Sequence, residues 1–336
     1  MLSIAITYSA FSQGVLPTTV PVPKDNSMTA TKIELGKQLY FDPRLSLTGT
    51  VSCNSCHNVM SNGTDNRPFS EGVHGKMGGR NAPTMFNAAF HSVQFWDGRA
   101  ATLEDQAKGP LGNPVEMGMS NGSEQEADRV KQIPGYITEF KKVFGGSDPV
   151  TLDNVVKAIA SFERTLITPD SPYDRFVNGD KKALDSAAQR GLSLVKSSGC
   201  LTCHSGALFD GPQLPIGTGF YMKFPTYTNN PYVKKYDLMA DVGRYTATHN
   251  PADKHMWHVQ SWRNIALTAP YFHNGSVKTL PEAVRVMAAT QLDKKLTDEQ
   301  VTDIVAFLDS LTGEHPKVTM PTLPETLNGT LTPRAQ

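Results

Sequence analysis

The sequence predicts a mainly α-helical protein built from two tandem units with long loops. Four segments carry apolar residues at the i, i+3, i+4 and i+7 spacing of an amphipathic helix. Between these segments lie long stretches rich in Gly and Pro, with no convincing strand pattern. Such loops are unusual in a compact domain unless a large ligand fills the space between the helices. A Cys-x-x-Cys-His motif in each unit, at residues 53–57 and 200–204, points to that ligand.

Each motif lies between two predicted helices. In the first unit, the apolar stripes run over residues 33–40 and 152–162. In the second unit, a stripe over residues 188–195 precedes the motif, and Gly199 is expected to break that helix just before the first cysteine. Stripes of this kind indicate core packing and carry no function by themselves.

The last predicted helix has the clearest signals in the sequence. Thr297, followed three residues later by Gln300, is typical of a capping box. Residues 301–311 carry the apolar stripe that the core would bury. Gly313 is expected to end this helix.

Composition and charge argue against a nucleic-acid partner and against a membrane span. At 336 residues, the chain is long enough for two domains. Lys plus Arg and Asp plus Glu number 32 each, without blocks of like charge, which argues against a nucleic-acid partner. The longest apolar run, residues 1–11, is too short to span a membrane. That run resembles the apolar core of an export signal but lacks its positively charged start.

The cysteines form two pairs, each followed by a histidine: Cys53, Cys56 and His57, then Cys200, Cys203 and His204. The pairs alone would also suit one four-cysteine zinc site or two disulfides. With nine His in 336 residues, a His would follow both pairs by chance with a probability of about 0.0007, whereas covalent haem attachment requires it. The motifs therefore predict two covalently bound haem c groups.

The spacing within the motif explains this requirement. On a helical turn, cysteines at i and i+3 can both reach the two vinyl groups on one edge of a porphyrin. The next residue then points its imidazole at the iron, so His57 and His204 are the predicted proximal ligands. The predicted fold is therefore two tandem cytochrome c-like haem domains. Because haem is attached in this way outside the bacterial cytoplasm, we expect a periplasmic protein.

The predicted domain organisation has four parts. Residues 1–20 form an export-signal-like or disordered N terminus, 21–167 an N-terminal domain, 168–313 a C-terminal domain, and 314–336 a surface tail. The boundary falls in the Pro- and Ser-containing stretch 168–172, which prevents a continued helix.

A weak internal repeat supports duplication of one unit. Arg80-Asn81 is echoed by Arg263-Asn264. Residues 95–98 (FWDG) are echoed by residues 272–275 (FHNG), which pairs Trp96 with His273.

Five stretches carry a resemblance to a known family: RNAPT at 80–84, QFWDGRA at 94–100, DQAKGP at 105–110, TLITPDSP at 165–172 and RNIALTAPYFHNG at 263–275. From about residue 35 to residue 311, the chain resembles the bacterial dihaem cytochrome c peroxidases and their MauG-type relatives. The resemblance implies that the N-terminal haem reduces hydrogen peroxide. It implies that the C-terminal haem accepts electrons from a small cytochrome c or cupredoxin. Members of this family often form homodimers, which no feature of this sequence indicates by itself.

The resemblance also implies a sixth ligand for each iron. Met287 matches the ligand of the C-terminal haem, where a thioether raises the reduction potential and suits an electron-accepting site. His74 matches the ligand of the N-terminal haem in the resting oxidised form. Gly72 and Gly75 lie close to His74, so the loop could rearrange and open that site to peroxide. Without the resemblance, Met287 would be a core residue and His74 a surface residue.

Three further positions match functional residues of the family. Glu116 matches the general acid/base over the N-terminal haem, and Gln106 matches a second residue on that side. Trp96 matches a tryptophan between the haems, although a buried Trp usually serves only the core. His273, its counterpart in the repeat, is expected to pack the second haem rather than bind iron.

The family carries one calcium ion between its domains. Asn81 matches a side-chain amide ligand, and Thr268 and Pro270 match two backbone carbonyl ligands. Oxygen ligands with several waters suit calcium and few other ions.

Two other functions compete with the peroxidase. One is a MauG-like enzyme that oxidises a protein, but that branch has a tyrosine at the position of Met287. The other is a plain electron carrier with two six-coordinate irons, in which Glu116 and Gln106 would have no catalytic purpose. The sequence leaves open the electron donor and whether the enzyme must be reduced before it acts.

Overall fold

The computed structural model describes residues 14–119 and 125–326, and in this part the chain is mainly helical, which confirms the predicted fold class. The helices of the first half are α1 (Ala30–Phe41), α2 (Cys53–Cys56), α3 (Leu103–Gly112), α4 (Gln125–Lys131), α5 (Pro134–Phe144) and α6 (Leu152–Glu163). Those of the second half are α7 (Pro172–Val177), α8 (Ser186–Ser197), α9 (Pro231–Lys235), α10 (Tyr245–Thr248), α11 (Leu280–Leu292) and α12 (Asp298–Asp309). Short 3₁₀ turns lie at Pro43–Leu45, Val73–Gly75, Ala88–Phe90, Cys200–Thr202, Pro251–Asp253 and Ile265–Leu267.

The buried apolar residues form two clusters that divide along the chain. One runs from Leu35 to Leu166 and has α1 and α6 at its centre. The other runs from Tyr173 to Leu311 and has α8 and α12 at its centre. Residues 167–172 lie between the two clusters, and the domain boundary expected in this stretch stays a prediction.

A glycine permits the central helix crossing in each half. A Cβ atom at Gly36 of α1 would overlap the carbonyl oxygen of Ala158 in α6. A Cβ atom at Gly191 of α8 would overlap the carbonyl oxygen of Asp303 in α12 in the same way. The absence of a side chain therefore allows the two backbones to approach closely in both units.

The predicted helices form, but one of the predicted helix ends is wrong. Thr297 and Gln300 make the expected capping box at the start of α12, and Gly199 adopts a positive φ of 89° directly before the second motif. The expectation that Gly313 ends α12 is wrong, because the helix ends at Asp309. Gly313 is instead required by close packing, since a Cβ atom there would overlap the carbonyl oxygen of Thr168.

The internal repeat is present in the backbone, where residues 95–98 and 272–275 correspond as predicted but the Arg-Asn pairing does not. Phe95 and Phe272 both have positive φ values, 71° and 70°, inside matching turns. Asn87 and Asn264 are left-handed residues that each begin a 3₁₀ turn, and both side-chain amides donate hydrogen bonds of 2.8 Å to Thr168 Oγ1. The structural counterpart of Asn264 is therefore Asn87 and not Asn81.

A two-stranded antiparallel sheet, formed by β1 (Tyr221–Lys223) and β2 (Met256–His258), lies among the loops of the second half. Strands of three residues are too short to show an alternating sequence pattern, which is why the sequence did not indicate them.

The ends of the described chain pack on different halves. At the N-terminal end, Leu16 is buried, and its N–H donates to Asp174 Oδ1 at 3.1 Å. In the tail after residue 313, the carbonyl of Pro324 accepts a hydrogen bond from Arg44 in the first half. The apolar run at residues 1–11 lies outside the described residues. No helix in the described ranges is long and apolar enough to cross a membrane.

Candidate active site

The two Cys-x-x-Cys-His motifs both fold as tight helical turns. His57 N–H donates to the carbonyl of Cys53 at 2.9 Å, and His204 N–H donates to that of Cys200 at 3.0 Å. All four cysteines are free. Cys56 of the first pair lines one cavity, and Cys200 and Cys203 line a different one. This arrangement disfavours both disulfides and a single four-cysteine zinc site.

The first cavity has a volume of about 650 Å³ and is lined by Cys56 and His57. The Nδ1 atom of His57 lies 2.9 Å from the carbonyl oxygen of Pro83. Because a carbonyl only accepts, Nδ1 carries the hydrogen, and Nε2 keeps its lone pair for a metal. Burial lowers the pKa of His57, which favours the neutral form that a metal ligand must have.

Glu116 and Gln106, which the resemblance assigns to the N-terminal haem, both line this first cavity. Asn113 Nδ2 donates to Glu116 Oε1 at 2.7 Å and so fixes the carboxyl group. Burial raises the pKa of Glu116, while the Arg99 guanidinium and the Asn113 hydrogen bond oppose that shift. The result is a partly desolvated carboxyl group, suited to exchanging a proton inside the cavity.

His74 is not brought to the first cavity in this structure. Its side chain is exposed, and it is absent from the residues that line the cavity. Its backbone has a φ of 57° inside a short 3₁₀ turn next to Gly75, which has a φ of 71°. Ligation of the iron by His74 in the oxidised form therefore stays a prediction, and it requires this loop to move.

The second cavity has a volume of about 510 Å³ and is lined by Cys200, Cys203, His204 and Met287. His204 Nδ1 lies 2.8 Å from the carbonyl oxygen of Phe209, so its Nε2 is the atom left for a metal. Burial lowers the pKa of His204 to about 4, which keeps the ring neutral. Met287 projects from α11 and supplies a thioether in the same cavity, where the resemblance had placed it.

The side chains present in both cavities fit a c-type haem. The first cavity offers the thiol of Cys56, the second offers those of Cys200 and Cys203, and each has a half-buried imidazole whose Nδ1 is held by a backbone carbonyl. The cavity volumes lie within the range of ordinary ligand pockets.

Trp96 lies between the cavities and lines both of them. Its ring meets those of Trp257 and His273 edge-on, with centroids 6.4 Å apart in each case. His273 stacks on Trp257 at 4.1 Å and lines the second cavity, in agreement with a packing role.

Two residues on the second cavity escaped the sequence analysis. Trp262 stacks on the ring of His204 at 4.3 Å, and Trp257 stacks on His273. The small number of tryptophans was the signal in the sequence that could have identified them. The chain has only three, and all three line this cavity.

The three predicted calcium ligands come from both halves of the chain. Asn81 Nδ2 donates to the carbonyl of Arg67 at 2.7 Å, which leaves Oδ1 as the atom available to a cation. In the described part of the chain, no hydrogen bond from the protein reaches that Oδ1 atom or the carbonyl oxygens of Thr268 and Pro270. Three oxygen atoms without protein donors fit a hard cation such as calcium.

The chain is similar to known proteins over nearly its whole length. The sequence profile described as di-haem cytochrome c peroxidase matches residues 30–182. The chain is 42% identical to the cytochrome c551 peroxidase of Nitrosomonas europaea, an alignment that covers 100% of this chain and 96% of the relative. It is 42% identical to the cytochrome c551 peroxidase of Pseudomonas aeruginosa, over 95% of this chain and 89% of that protein. The fold is similar to the crystal structure of a MauG-like protein associated with microbial copper homeostasis, at 31% identity and a TM-score of 0.77, covering 89% and 95% of the two chains.

Proposed function

The chain belongs to the dihaem cytochrome c peroxidase family, and we propose that it reduces hydrogen peroxide to water with electrons from a small periplasmic redox protein. Like its family, it is a peroxidase that carries two c-type haems. The overall reaction consumes one peroxide, two electrons and two protons, and releases two waters. The finer proposal is that peroxide reacts in the first cavity and that electrons arrive through the second.

The observation that carries this division of roles is the different lining of the two cavities. The first contains a carboxyl group and an amide, Glu116 and Gln106, beside the predicted ligand His57. The second contains the thioether of Met287 beside His204. A His/Met pair favours reduced iron and a high potential, whereas a cavity with a proton-exchanging group suits bond cleavage.

In the first cavity, the side chains of the protein would transfer a proton and orient the peroxide. When bound, the haem supplies the iron that binds peroxide and delivers electrons to it. Glu116 would take the proton from the inner peroxide oxygen and return it to the outer one, which leaves as water. Asn113 holds Glu116 at 2.7 Å, and Gln106 would orient the peroxide by a hydrogen bond.

Trp96 would fill the space between the haems and assist electron transfer. Its indole lines both cavities, and its N–H is fixed by a hydrogen bond of 2.9 Å to the carbonyl of Asn81. A side chain held in this way keeps a constant orientation between the two units.

We further propose two controls on activity. His74 would bind the first iron in the oxidised resting form and leave it when the second haem is reduced. A calcium ion at Asn81, Thr268 and Pro270 would hold the two halves in the active arrangement. The division at residues 167 and 168, a periplasmic location and a homodimer belong to the same proposal.

The deciding experiment is hydrogen-peroxide-dependent oxidation of a reduced small cytochrome c. Fully oxidised enzyme is compared with enzyme reduced by one electron, with calcium present in both. Activity only after reduction supports a peroxidase gated by His74, whereas equal activity rejects the gate. No activity in either state would favour an electron carrier or a protein-oxidising relative.

The chain offers a matched pair of variants for the gate. His74 and His249 are both exposed and both left-handed, with φ values of 57° and 54°. We expect His74→Gly to make the oxidised enzyme active without reduction, because the sixth ligand is lost. His249→Gly relieves the same kind of backbone strain elsewhere and should still need reduction. If both variants need it, His74 is not the gate.

A further inference from the structure

A group of potential metal ligands lies apart from the predicted iron and calcium ligands. His91, Asp210 and His258 come from distant parts of the sequence, and their ligating atoms all lie within 4.8 Å of one another. Across residues 14–119 and 125–326, no other set of three or more His, Cys, Asp or Glu side chains meets this criterion.

The fold holds the three side chains at the meeting point of the two halves. His91 follows the 3₁₀ turn Ala88–Phe90 in the first half, and His258 is the last residue of β2 in the second half. Asp210 comes six residues after the predicted haem ligand His204. The cluster therefore links both units.

Two contacts define the geometry of the cluster. His91 Nδ1 lies 2.8 Å from Asp210 Oδ2, and the rings of His91 and His258 meet edge-on with centroids 5.8 Å apart. A tetrahedral ion needs nitrogen and oxygen ligands at about 2.0–2.2 Å, and atoms already within 4.8 Å of one another need only small side-chain rotations to reach that arrangement.

Two members of the cluster are partly exposed. The side chains of His91 and Asp210 keep 15% and 14% of their surface exposed, while His258 is buried. His91 lines the first cavity and His258 lines both, so the cluster borders the space in which the haems would bind. The group is thus partly shielded from water without being closed to it.

We propose that His91, Asp210 and His258 bind one divalent transition-metal ion of the Zn²⁺ class at the junction of the two units. Two imidazoles and one carboxylate form a donor set that Zn²⁺ prefers, with a fourth position for water. The ion would displace the hydrogen shared by His91 Nδ1 and Asp210 Oδ2, so binding releases that proton. Mg²⁺ and Ca²⁺ prefer all-oxygen ligands and would not compete.

The consequence would be a second metal crosslink between the halves, distinct in chemistry from the proposed calcium site. Because the ligands come from both units, an ion bound there would stabilise their docked arrangement. This inference goes beyond the peroxidase proposal and does not depend on it, since metal binding is measured without turnover.

The test uses the haem-loaded enzyme, freed of loosely bound metals with a chelator and resupplied with calcium. Calorimetric titration with Zn²⁺ should show one site per chain, and titration with Mg²⁺ should show none. Asp210→Asn and His91→Asn should each weaken Zn²⁺ binding by at least about tenfold, since even outer-shell partners of a ligand are worth that much. Unchanged haem absorption spectra would show that these variants fold normally.

His249→Asn is the matched control, because His249 is an exposed histidine outside the cluster. It should leave Zn²⁺ binding unchanged. Crystals soaked in Zn²⁺ should show anomalous scattering at the zinc edge between His91 and His258. The proposal is overturned if no Zn²⁺ binds, if the cluster variants bind as tightly as His249→Asn, or if the anomalous peak lies elsewhere. The cluster would then be a hydrogen-bonded ion pair only.

Discussion

The indole N–H of Trp96 donates a hydrogen bond of 2.9 Å to the backbone carbonyl of Asn81. The backbone N–H of Asn81 in turn donates to the carbonyl of His273 at 2.7 Å. Asn81 is also one of the predicted calcium ligands. The side chain between the two cavities is therefore oriented by a residue that belongs to the proposed calcium site.

This relationship predicts the behaviour of Trp96→Phe. The phenyl ring fills much of the space but loses the hydrogen bond to Asn81, so the ring orientation is no longer fixed. We expect the rate of electron transfer between the haems to fall by roughly tenfold, the effect of losing about 1.4 kcal/mol of positioning. Rapid-mixing spectroscopy of the half-reduced enzyme with peroxide measures this rate.

Trp257→Phe is the control for that measurement. Trp257 lines only the second cavity, and its Nε1 donates to Phe224 O at 3.2 Å, so the same chemical change is made away from the first cavity. Equal rates in the two variants would mean that Trp96 has no special place between the haems.

The same relationship predicts a specific dependence on calcium. Removal of calcium with a chelator should abolish activation of the enzyme, because Asn81 would lose the ion that fixes it beneath Trp96. Added Ca²⁺ should restore activity, whereas Mg²⁺ should not, since it demands shorter bonds and strict octahedral geometry. Activity assays before and after chelation test this, and an enzyme indifferent to chelation would contradict the calcium site.

Glu116→Gln should lower turnover by at least about 100-fold, the usual contribution of a general acid/base. The amide keeps the shape of the carboxyl group but cannot move the proton between the peroxide oxygens. Haem content, measured by absorption, should stay the same. Glu34→Gln is the control, because Glu34 lies in the same half with an exposed side chain. Full activity of Glu116→Gln would remove this residue from the mechanism.

The pH dependence of activity is a second test of the role of Glu116. To accept a proton, the carboxyl group must be ionised, so activity should be lost as the pH falls through its pKa. Because burial raises that pKa, the loss should begin at a higher pH than for an ordinary glutamate. The activity of Glu116→Gln should stay at a low residual rate and should not show this loss at acidic pH.

Local signals in the sequence predicted much of the fold and the haem motifs. The Cys-x-x-Cys-His spacing and the capping box of Thr297 and Gln300 each depend on residues within five positions, and both formed as expected. The contacts that depend on distant segments were not predictable. Gly36 and Gly191 look ordinary in the sequence, and only the helix crossings explain them.

The candidate site also contains some residues that could be predicted from the sequence and others that only the fold brings together. The placement of Glu116 and Met287 in their cavities came from a family resemblance, because neither position has a local signal of its own. Residue type alone favours the exposed position that His74 has, whereas its match to an iron ligand depends on the state of a loop. His91 and Asp210 are 119 positions apart and belong to no motif, so only the fold brings them together.

The buried carboxyl group of Glu163 should make the stability of the protein depend on pH. It is the last residue of α6, it is buried, and its Oε2 atom has no hydrogen-bond partner among the described residues. Burial raises its pKa from an ordinary value of 4.5 to about 8, and Glu104 adds to this shift while Arg164 opposes it. The carboxyl group is therefore protonated in the folded protein over a range where it is ionised in the unfolded chain.

Between about pH 4.5 and pH 8, the folded state thus holds a proton that the unfolded state has released. The contribution of Glu163 to the free energy of unfolding should fall as the pH rises through this window, by up to about 1.4 kcal/mol per pH unit. Glu163→Gln stays neutral at every pH and should flatten that slope. Glu34→Gln, at an exposed position of α1, should keep it. Urea unfolding of the haem-loaded protein at pH 5 to 8 measures the three slopes, and identical slopes in wild type and Glu163→Gln would mean that this carboxyl group is ionised in the folded protein.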